Sequence, residues 1–431
     1  MVSSKQSKRS FLKGLGGAAT VTALAPALPA VGLEAKRKAS NSLQNIAASA
    51  VPISAAERKE RIARAQALLR QQGLGALLLE PGSSMVYFTG IRWGRSERLT
   101  VVVIPAEGDI AVVTPFFEEP RARERMSFGN DVRPWHEHED PFLRVKQIMA
   151  DRGVAGKPIG LEDSVRYFVV EGLKAQSVAT ANGRSVVDGC RMFKSTHELQ
   201  LMHTANAVTL GAYNHVWNTL EAGMTPADIN ALMRGAQAKL GGKGIWTMAL
   251  LAEASAYPHG TGAPQSLKNG DIVLMDCGCN VEGYQSDISR TFVFGDASAR
   301  QRDVWQTMRR GQDVAFASAR VGVPAGHVDD AVRAYYESLG YGPDYKTPGL
   351  SHRTGHGIGM DGHERINFVR GEATPLAPGM CFSNEPGIYI YGEFGIRLED
   401  CLYMTDAGPA WFTQPPSSID EPIGRVAAVP G

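Results

Sequence analysis

The sequence has few cysteines, no long apolar run and almost no net charge, and each of these shortages excludes a class of protein. Five cysteines in 431 residues are too few, and odd in number, for a scaffold built on disulfides. No apolar run approaches the roughly 18 residues that a transmembrane helix needs. The formal net charge of +1 gives no support to binding of nucleic acid or of a membrane surface. A globular chain long enough for two domains remains.

The N-terminal segment, residues 1–35, differs in composition from the rest and resembles a bacterial export signal. Lys8 and Arg9 precede a weakly apolar run rich in Ala and Gly, and sites with small residues follow. Residues 7–13 are similar to a twin-arginine signal in which lysine replaces the first arginine. A disordered basic tail is the alternative. We expect export to the periplasm or the medium, without a membrane anchor.

Hydrophobic periodicity divides the remaining chain into two structural regions. Residues 36–56 have the polar composition of a linker. Helical and strand patterns then alternate over residues 57–190, which predicts a compact α/β domain. The first elements of this domain are predicted as a helix over 57–72 and strands over 76–79, 100–104 and 110–114.

The second region, residues 195–420, contains an internal repeat. Capping boxes begin two of its helices, at Ser195 and at Thr225. Residues 221–241 align without a gap on residues 320–340, and after each helix pair a glycine precedes an acidic residue by six positions. We therefore predict a duplicated unit of a helix pair plus a β-hairpin, with two hairpins facing one crevice. Chance similarity between amphipathic helices is the alternative.

Four acidic residues occupy matching positions on the two predicted hairpins. Asp276 and Asp287 are equally distant from the first turn, and Glu385 and Glu399 are equally distant from the second. In simple hairpins the members of each pair are directly opposed, with Cβ atoms about 5 Å apart. Two like charges about 4 Å apart repel by roughly 4 kcal/mol at an effective dielectric constant of 20. Cations between the pairs would remove this repulsion, whereas solvated surface carboxylates are the alternative.

A glycine-rich segment, residues 352–359, supplies the remaining candidate ligand. Its three glycines disfavour a helix, so His352 and His356 are expected in an extended chain. Four carboxylates with one neutral imidazole carry a charge of −4, which matches two divalent cations. This oxygen-rich donor set favours Mn, Co, Fe or Zn. Two such ions lower the pKa of water towards 7 and polarise a carbonyl, which is chemistry suited to hydrolysis.

Together these motifs resemble those of the pita-bread metallopeptidases, among which aminopeptidase P and prolidase are the nearest types. The resemblance covers about residues 57–410. It implies a creatinase-like α/β domain over 57–190 and an α+β pita-bread catalytic domain over 195–420. The motifs that carry it are Met275-Asp276-Cys277-Gly278, Ser286-Asp287-Ile288-Ser289-Arg290-Thr291, His352-Arg353-Thr354-Gly355-His356-Gly357-Ile358-Gly359, Asn384-Glu385-Pro386-Gly387-Ile388-Tyr389 and Gly395-Ile396-Arg397-Leu398-Glu399-Asp400.

The resemblance also implies roles for individual residues. Two divalent ions, with manganese ahead of cobalt, zinc or iron, are expected to have as ligands Asp276, Asp287, His356, Glu385 and Glu399. Glu385 would also shuttle a proton, His259 would steady the leaving amine or the tetrahedral intermediate, and His363 would bind the scissile carbonyl oxygen. Substrate-binding or supporting roles fall to His352, Tyr389 and Arg397. Loop packing is the alternative for His352 and Tyr389.

The function implied by the resemblance is hydrolysis of Xaa-Pro bonds, at the N-terminus of peptides or in dipeptides. The expected partners are small peptides with proline in second place and a second copy of the chain in a homodimer. These residues do not choose between an aminopeptidase and a dipeptidase. The alternatives are a metal-dependent lyase or another C–N hydrolase on the same fold, and a binding protein without catalytic activity.

Overall fold

The computed structural model describes residues 43–430. The predicted export signal, residues 1–35, lies outside the described residues, and so does the first part of the predicted linker. The described part of that linker contains a short 3-10 helix, Ile46–Ser49. Its Ile46 amide donates to the carbonyl oxygen of Leu240 at 3.1 Å, so this segment packs on the second structural region.

The N-terminal region is a mixed sheet of six strands with helices on both faces. The strands are β1 (Ala76–Leu79), β2 (Val101–Pro105), β3 (Ala111–Pro115), β4 (Asp131–Trp135), β5 (Ile159–Leu161) and β6 (Thr180–Asn182). The sheet order is β4-β3-β2-β1-β5-β6, in which β1 pairs antiparallel with β2 and parallel with β5. The helices are α1 (Ala55–Gln71), α2 (Ser83–Thr89), α3 (Glu119–Arg125), α4 (Pro141–Asp151), α5 (Tyr167–Ala175) and α6 (Arg184–Arg191).

Strand residues alternate between two apolar cores, one on each face of this sheet. Leu77 and Leu79 pack in the core shared with α1 and α6, whereas Ala76 and Leu78 pack in the core shared with α4 and α5. This alternation follows from the two-residue period of a strand. Helix α1 begins two residues earlier than predicted because Ser54 is its N-cap.

The second region contains two helix pairs, each followed by a sheet, as the internal repeat predicted. The helices are α7 (Thr196–Trp217), α8 (Pro226–Lys239), α9 (Ala299–Ser318) and α10 (Gly326–Ser338). Both predicted capping boxes form, since the Ser195 and Thr225 side chains accept hydrogen bonds from the N3 amides of α7 and α8. Helices α8 and α10 correspond to the two aligned segments of the repeat.

The two sheets of this region carry the predicted hairpins. The first, in the order β10-β8-β7 with β9 paired to β8, consists of β7 (Lys243–Leu251), β8 (Ile272–Val281), β9 (Tyr284–Gln285) and β10 (Ile288–Val293). The elements of the second are β11 (Gly355–Gly357), β12 (Glu364–Phe368), β13 (Cys381–Asn384), β14 (Gly387–Ile390), β15 (Phe394–Arg397), β16 (Asp400–Thr405) and β17 (Gly408–Trp411). The order of this sheet is β12-β11-β13-β16-β17, and β14 and β15 extend its hairpin. A small separate ladder pairs β18 (Thr413–Gln414) with β19 (Arg425–Val426).

All five cysteines are buried free thiols. Over residues 43–430, none of the helices combines the length and the apolar character that crossing a bilayer requires.

Candidate metal site

The first hairpin brings Asp276 and Asp287 to one face, but they are not directly opposed as predicted. The register pairs Asp276 with Ser289. The chain reverses through Glu282 and Gly283, whose φ angles of 52° and 97° are those of a tight two-residue turn compatible with strand twist. The centre of the turn therefore lies one residue later than predicted. Asp276 and Asp287 become diagonal neighbours, which still share one face because side chains alternate along a strand.

The second hairpin has the predicted register. Asn384 pairs with Asp400 and Gly387 pairs with Arg397, so the positions between them, Glu385 and Glu399, face each other.

Ser289 joins the two hairpins at the site. The Glu399 amide donates to the carbonyl oxygen of Ser289 at 3.1 Å, and the Ser289 hydroxyl donates to Glu399 Oε2 at 2.8 Å. The two acidic pairs consequently meet in a single crevice.

His356 lies on β11 in an extended chain, as predicted, with its ring buried between the two hairpins. Its Nδ1 is 3.1 Å from the carbonyl oxygen of Gly357, which only accepts, so Nδ1 carries the proton and Nε2 has a free lone pair. Nε2 is 3.4 Å from Glu385 Oε1, 3.6 Å from Asp287 Oδ2 and 3.9 Å from Glu399 Oε1. Burial, followed by the nearby His363 ring, lowers the pKa of His356 to about 3. A neutral lone pair facing three carboxylates is repulsive unless a cation lies between them.

Several carboxylate oxygens in the crevice lack any partner. Asp276 Oδ1, Asp287 Oδ1 and Glu399 Oε1 are buried and accept no hydrogen bond from the residues that the structure describes. Burial, followed by the charges of neighbouring carboxylates, raises the pKa of Asp287 and of Glu399 well above the ordinary range. Burial also raises the pKa of Glu385 to about 7. Buried acceptors without partners are costly, and divalent cations would satisfy them.

The donor atoms form overlapping groups of the size that a metal ion needs. His356, Glu385 and Glu399 offer ligand atoms within 4.8 Å of one another, and so do Asp276, Asp287 and Glu399. Glu399 belongs to both groups, which is the arrangement that two ions sharing a ligand would require. A third group combines Asp287 and His356 with His363. The residues present therefore fit divalent metal ions.

A chain of hydrogen bonds runs from the metal site to His352. Arg397 donates to Asp276 Oδ2 at 2.6 Å and to the Tyr389 hydroxyl at 3.1 Å. The Tyr389 hydroxyl lies 2.8 Å from His352 Nε2, and His352 Nδ1 lies 2.8 Å from the carbonyl oxygen of Arg353. Nδ1 therefore carries the proton and Nε2 accepts from tyrosine. Burial, with a smaller contribution from Arg397, lowers the pKa of His352 to about 3, so its ring is neutral.

A cavity of about 840 Å³ opens onto this site. Every predicted site residue lines it except Tyr389, which contacts His352 from behind. His259 and His363 both line it, and the ring centroids of His356 and His363 are 4.2 Å apart. Apolar and aromatic walls complete the cavity, contributed by Trp246, Met248, Pro258, Tyr345 and Val369.

Three residues at the site were not singled out from the sequence. Ser289 donates a hydrogen bond to Glu399 and accepts one from Arg397 Nε at 3.0 Å. The available signal in the sequence was a polar residue within a strand of mostly apolar residues. Arg353 and Trp246 line the cavity. Arg353 lies next to His352 in the glycine-rich segment, which was the available signal, whereas the sequence around Trp246 contains no pattern that separates a cavity wall from an ordinary strand position.

Comparisons with known proteins agree with this architecture. The profile of metallopeptidase family M24 matches residues 200–406, and that of the creatinase/prolidase N-terminal domain matches residues 61–193. A probable dipeptidase, PepE, of Mycobacterium tuberculosis is 32% identical over 81% of this chain and 92% of its own. A Xaa-Pro dipeptidase of Lactobacillus helveticus is 28% identical over 76% of this chain and 89% of its own.

Solved structures give the same result at the level of the fold. The dipeptidase PepE from Mycobacterium ulcerans has a TM-score of 0.78 and 31% identity, covering 88% of this chain and 100% of its own. A variant of Escherichia coli aminopeptidase P, at 22% identity, shares the fold with a TM-score of 0.68, covering 84% of this chain and 95% of its own. The expected creatinase-like domain followed by a pita-bread domain is thereby confirmed. The chain belongs to metallopeptidase family M24, whose members depend on divalent metal ions.

Proposed function

We propose that this chain hydrolyses Xaa-Pro bonds of small peptides at a centre of two divalent metal ions, with manganese as the expected metal. The proposed ligands are Asp276, Asp287, His356, Glu385 and Glu399. The observation that carries the proposal is the pair of donor groups that share Glu399 around buried oxygens without partners. The names of related Xaa-Pro dipeptidases support the proposed specificity.

The two ions would polarise the scissile carbonyl and lower the pKa of a bound water, and both effects would lower the barrier to amide hydrolysis. Glu385 would hold metal and also accept a proton from the attacking water, because its Oε1 lies at the donor group that it forms with His356 and Glu399, 3.4 Å from His356 Nε2. His363, at the cavity wall beside His356, would donate a hydrogen bond to the scissile carbonyl oxygen. His259, on the same cavity, would hold the leaving amine.

The chain from Arg397 through Tyr389 to His352 supports recognition of proline. Both ring nitrogens of His352 are engaged within the protein, so the ring offers the cavity an apolar face instead of a hydrogen bond. Such a face suits the rigid pyrrolidine ring of an Xaa-Pro substrate. Tyr389 and Arg397 would keep that face in place and hold Asp276 towards the metal ions.

Peptide hydrolysis by metal-loaded protein tests the proposal. The purified chain, supplied with Mn²⁺, is assayed on Xaa-Pro dipeptides, on longer Xaa-Pro-Yaa peptides and on Xaa-Ala controls, and bound metal is measured by mass spectrometry. Cleavage restricted to the Xaa-Pro peptides is expected. If the metal-loaded protein cleaves none of these peptides, a lyase or a binding protein becomes the better hypothesis for its function.

Variants separate the proposed ligands from the proposed catalytic groups. Asp287→Ala is expected to lose metal and activity together, whereas His363→Ala should keep its metal and lose roughly 100-fold or more in kcat, as for other oxyanion donors. Glu282→Ala removes a partly exposed acid that pairs with Lys243 at the turn of the same hairpin and is not among the proposed ligands, so it serves as the matched control. An active, metal-loaded Asp287→Ala protein would refute the ligand assignment.

We also propose that residues 1–35 direct export to the periplasm or the medium. Cell fractionation with N-terminal sequencing of the mature chain tests this, and a cytoplasmic protein with an intact N-terminus would contradict it. The homodimer stays a prediction, which light scattering on the purified protein can check.

A further inference from the structure

Two buried polar side chains occupy corresponding places in the two halves of the internal repeat. Tyr213 lies on α7 and Gln312 lies on α9, which are the first helices of the two helix pairs. Both side chains are buried, and neither of them lines the metal-site cavity. Their polar groups are instead bonded to the strands that carry the proposed metal ligands.

The Tyr213 hydroxyl connects both strands of the first hairpin beside the ligands. It lies 2.7 Å from the carbonyl oxygen of Ile288 and 3.0 Å from that of Met275, so its single proton is shared between two acceptors. Met275 directly precedes Asp276, and Ile288 directly follows Asp287. One hydroxyl therefore holds one strand just before its ligand and the other strand just after its ligand.

Gln312 makes the corresponding contacts in the second hairpin. Its Nε2 donates to the carbonyl oxygen of Asn384 at 3.2 Å and to Asp400 Oδ2 at 3.1 Å. Asn384 directly precedes Glu385, and Asp400 directly follows Glu399. The Asn384 side chain also donates to the carbonyl oxygen of Gln312 at 3.0 Å. Both halves of the repeat therefore attach their ligand strands to a helix in the same pattern.

Most of the carboxylate ligands lie where a strand is interrupted. Asp287 lies between β9 and β10, Glu385 between β13 and β14, and Glu399 between β15 and β16, whereas Asp276 lies within β8. Pro386, which follows Glu385, has no amide proton with which to extend a ladder. Regular strand pairing therefore leaves the positions of three ligands to be fixed by other contacts.

Some of these other contacts reach a single ligand. The Glu385 amide donates to the carbonyl oxygen of Thr354 at 2.9 Å, and Arg290 Nη1 donates to the carbonyl oxygen of Glu399 at 2.9 Å. The contacts of Tyr213 and Gln312 differ because each of them joins the two strands of a hairpin to the same buried helix. Such an attachment fixes the spacing between two ligands as well as the place of each.

Ligand spacing matters because carboxylates that share an ion repel one another when both are ionised and the ion is absent. Strands that are held on both sides of a ligand pair keep the donor atoms at the spacing that an ion needs. Pre-organisation of this kind increases affinity, because less ordering is required when the ion binds.

We propose that Tyr213 and Gln312 are positioning residues that set the affinity of the metal centre, each by fixing the two carboxylate ligands of one hairpin. They act through the ligand strands and touch neither the ions nor the substrate. Loss of an outer partner of a metal ligand typically weakens metal binding by about 10- to 100-fold. The inference rests on the proposed metal centre and names residues that hold it in shape.

Two variants remove these contacts and little else. Tyr213→Phe deletes only the hydroxyl. Gln312→Met keeps the length of the side chain and removes only the bonds of Nε2, because Gln312 Oε1 has no partner among residues 43–430. Calorimetric titration of the metal-free proteins with Mn²⁺ should give dissociation constants about 10- to 100-fold above that of the wild type in each variant.

Tyr336→Phe is the matched control. The Tyr336 hydroxyl is also buried, on α10, and donates to the carbonyl oxygen of Met308 on α9 at 3.2 Å instead of to a carbonyl beside a ligand. This variant loses a buried hydrogen bond of the same kind as Tyr213→Phe does. It should nevertheless bind Mn²⁺ with the affinity of the wild type.

Thermal unfolding with and without Mn²⁺ separates positioning from a general structural role. A contact that is merely structural lowers the Tm of the metal-free and the metal-loaded protein alike. A positioning contact also reduces the rise in Tm that Mn²⁺ produces, because stabilisation by a ligand depends on its affinity. The rise should be smaller in Tyr213→Phe and Gln312→Met than in Tyr336→Phe. Activity of both variants should fall at limiting Mn²⁺ and recover at saturating Mn²⁺.

Unchanged affinity for Mn²⁺ in Tyr213→Phe or in Gln312→Met would overturn the role of that residue, and equal weakening in Tyr336→Phe would overturn both roles. A wild-type protein that binds Mn²⁺ but cleaves no Xaa-Pro compound would contradict the proposed function alone, because the titrations and melting curves do not depend on turnover. A wild-type protein that binds no divalent metal would contradict both proposals.

Discussion

Arg191, the last residue of α6, holds the loop that carries His363 through a buried cluster of charges. Its Nη2 lies 2.8 Å from Asp361 Oδ2 and 2.5 Å from Glu364 Oε1. Lys194 Nζ lies 2.9 Å from Glu364 Oε2. The Arg191 and Glu364 side chains are only 10% and 8% exposed, so their charges are weakly screened by water. We predict that this cluster is a main source of stability between the N-terminal region and the catalytic loop.

Arg191→Met removes the charge and keeps most of the side-chain volume. Glu364 then retains one cation, Lys194, and Asp361 loses its ion-pair partner but keeps the hydrogen bond from the Ser83 hydroxyl. Coulomb's law gives roughly 6 kcal/mol for unit charges 2.8 Å apart at an effective dielectric constant of 20, part of which desolvation offsets. Breaking a buried ion pair from one side costs about 3–5 kcal/mol. Because Asp361 is half exposed, we expect a loss near the lower limit, about 3 kcal/mol.

Urea titration followed by circular dichroism measures this loss as a change in the free energy of unfolding. Arg184→Met, on the same helix, is the matched control, since Arg184 pairs with Asp163 and their side chains are 40% and 57% exposed. Exposed pairs contribute less than about 1 kcal/mol. If Arg191→Met is no less stable than Arg184→Met, the reasoning from burial and charge is wrong.

Three further predictions concern pH, metal and thiols. Burial alone would raise the pKa of Glu364, but Lys194 and Arg191 outweigh it and lower the pKa from 4.5 to about 2. A carboxyl group whose pKa is lower in the folded than in the unfolded protein stabilises the fold at neutral pH. The wild type should therefore exceed Glu364→Gln in free energy of unfolding at neutral pH, and this difference should shrink as pH falls below about 4.5. A difference that stays constant across this range would contradict the prediction. Chelation of divalent metal should lower the melting temperature and Mn²⁺ should restore it, because buried oxygens lose their partners; an unchanged melting temperature would argue against the metal site. A thiol reagent should leave all five buried cysteines unmodified in the native protein and label them after unfolding, and rapid labelling of the native protein would show that the cysteines are accessible.

Much of the fold could be predicted because it depends on local patterns. The capping boxes at Ser195 and Thr225 form as expected, since a hydroxyl and a carboxylate three residues apart satisfy free amides at the start of a helix. The strand over residues 76–79 and the repeat of helix pairs also follow from short-range periodicity. Boundaries shifted by one or two residues where a cap such as Ser54 lies before the apolar pattern.

The register of the two hairpins shows where prediction from spacing succeeds and where it fails. Glu385 and Glu399 face each other as predicted, because the flanking ladder keeps one register throughout. Asp276 and Asp287 are diagonal neighbours instead, because the positive φ angles at Glu282 and Gly283 place a two-residue turn one position later. Equal spacing therefore identified the right face and the wrong partner.

The amino-acid sequence by itself determined which side chains could serve as metal ligands, and in what order, because donor chemistry belongs to the residue type. Tertiary structure alone decided which of the remaining charges are satisfied. Arg191 and Arg397 pair with carboxylates from distant parts of the chain, whereas Arg353 lines the cavity without an ion pair among residues 43–430. Pairing of this kind depends on contacts between residues far apart in the chain, and no local pattern records it. For that reason the candidate metal ligands could be named from the sequence, but the ion-pair partners of Arg191 and Arg397 could not.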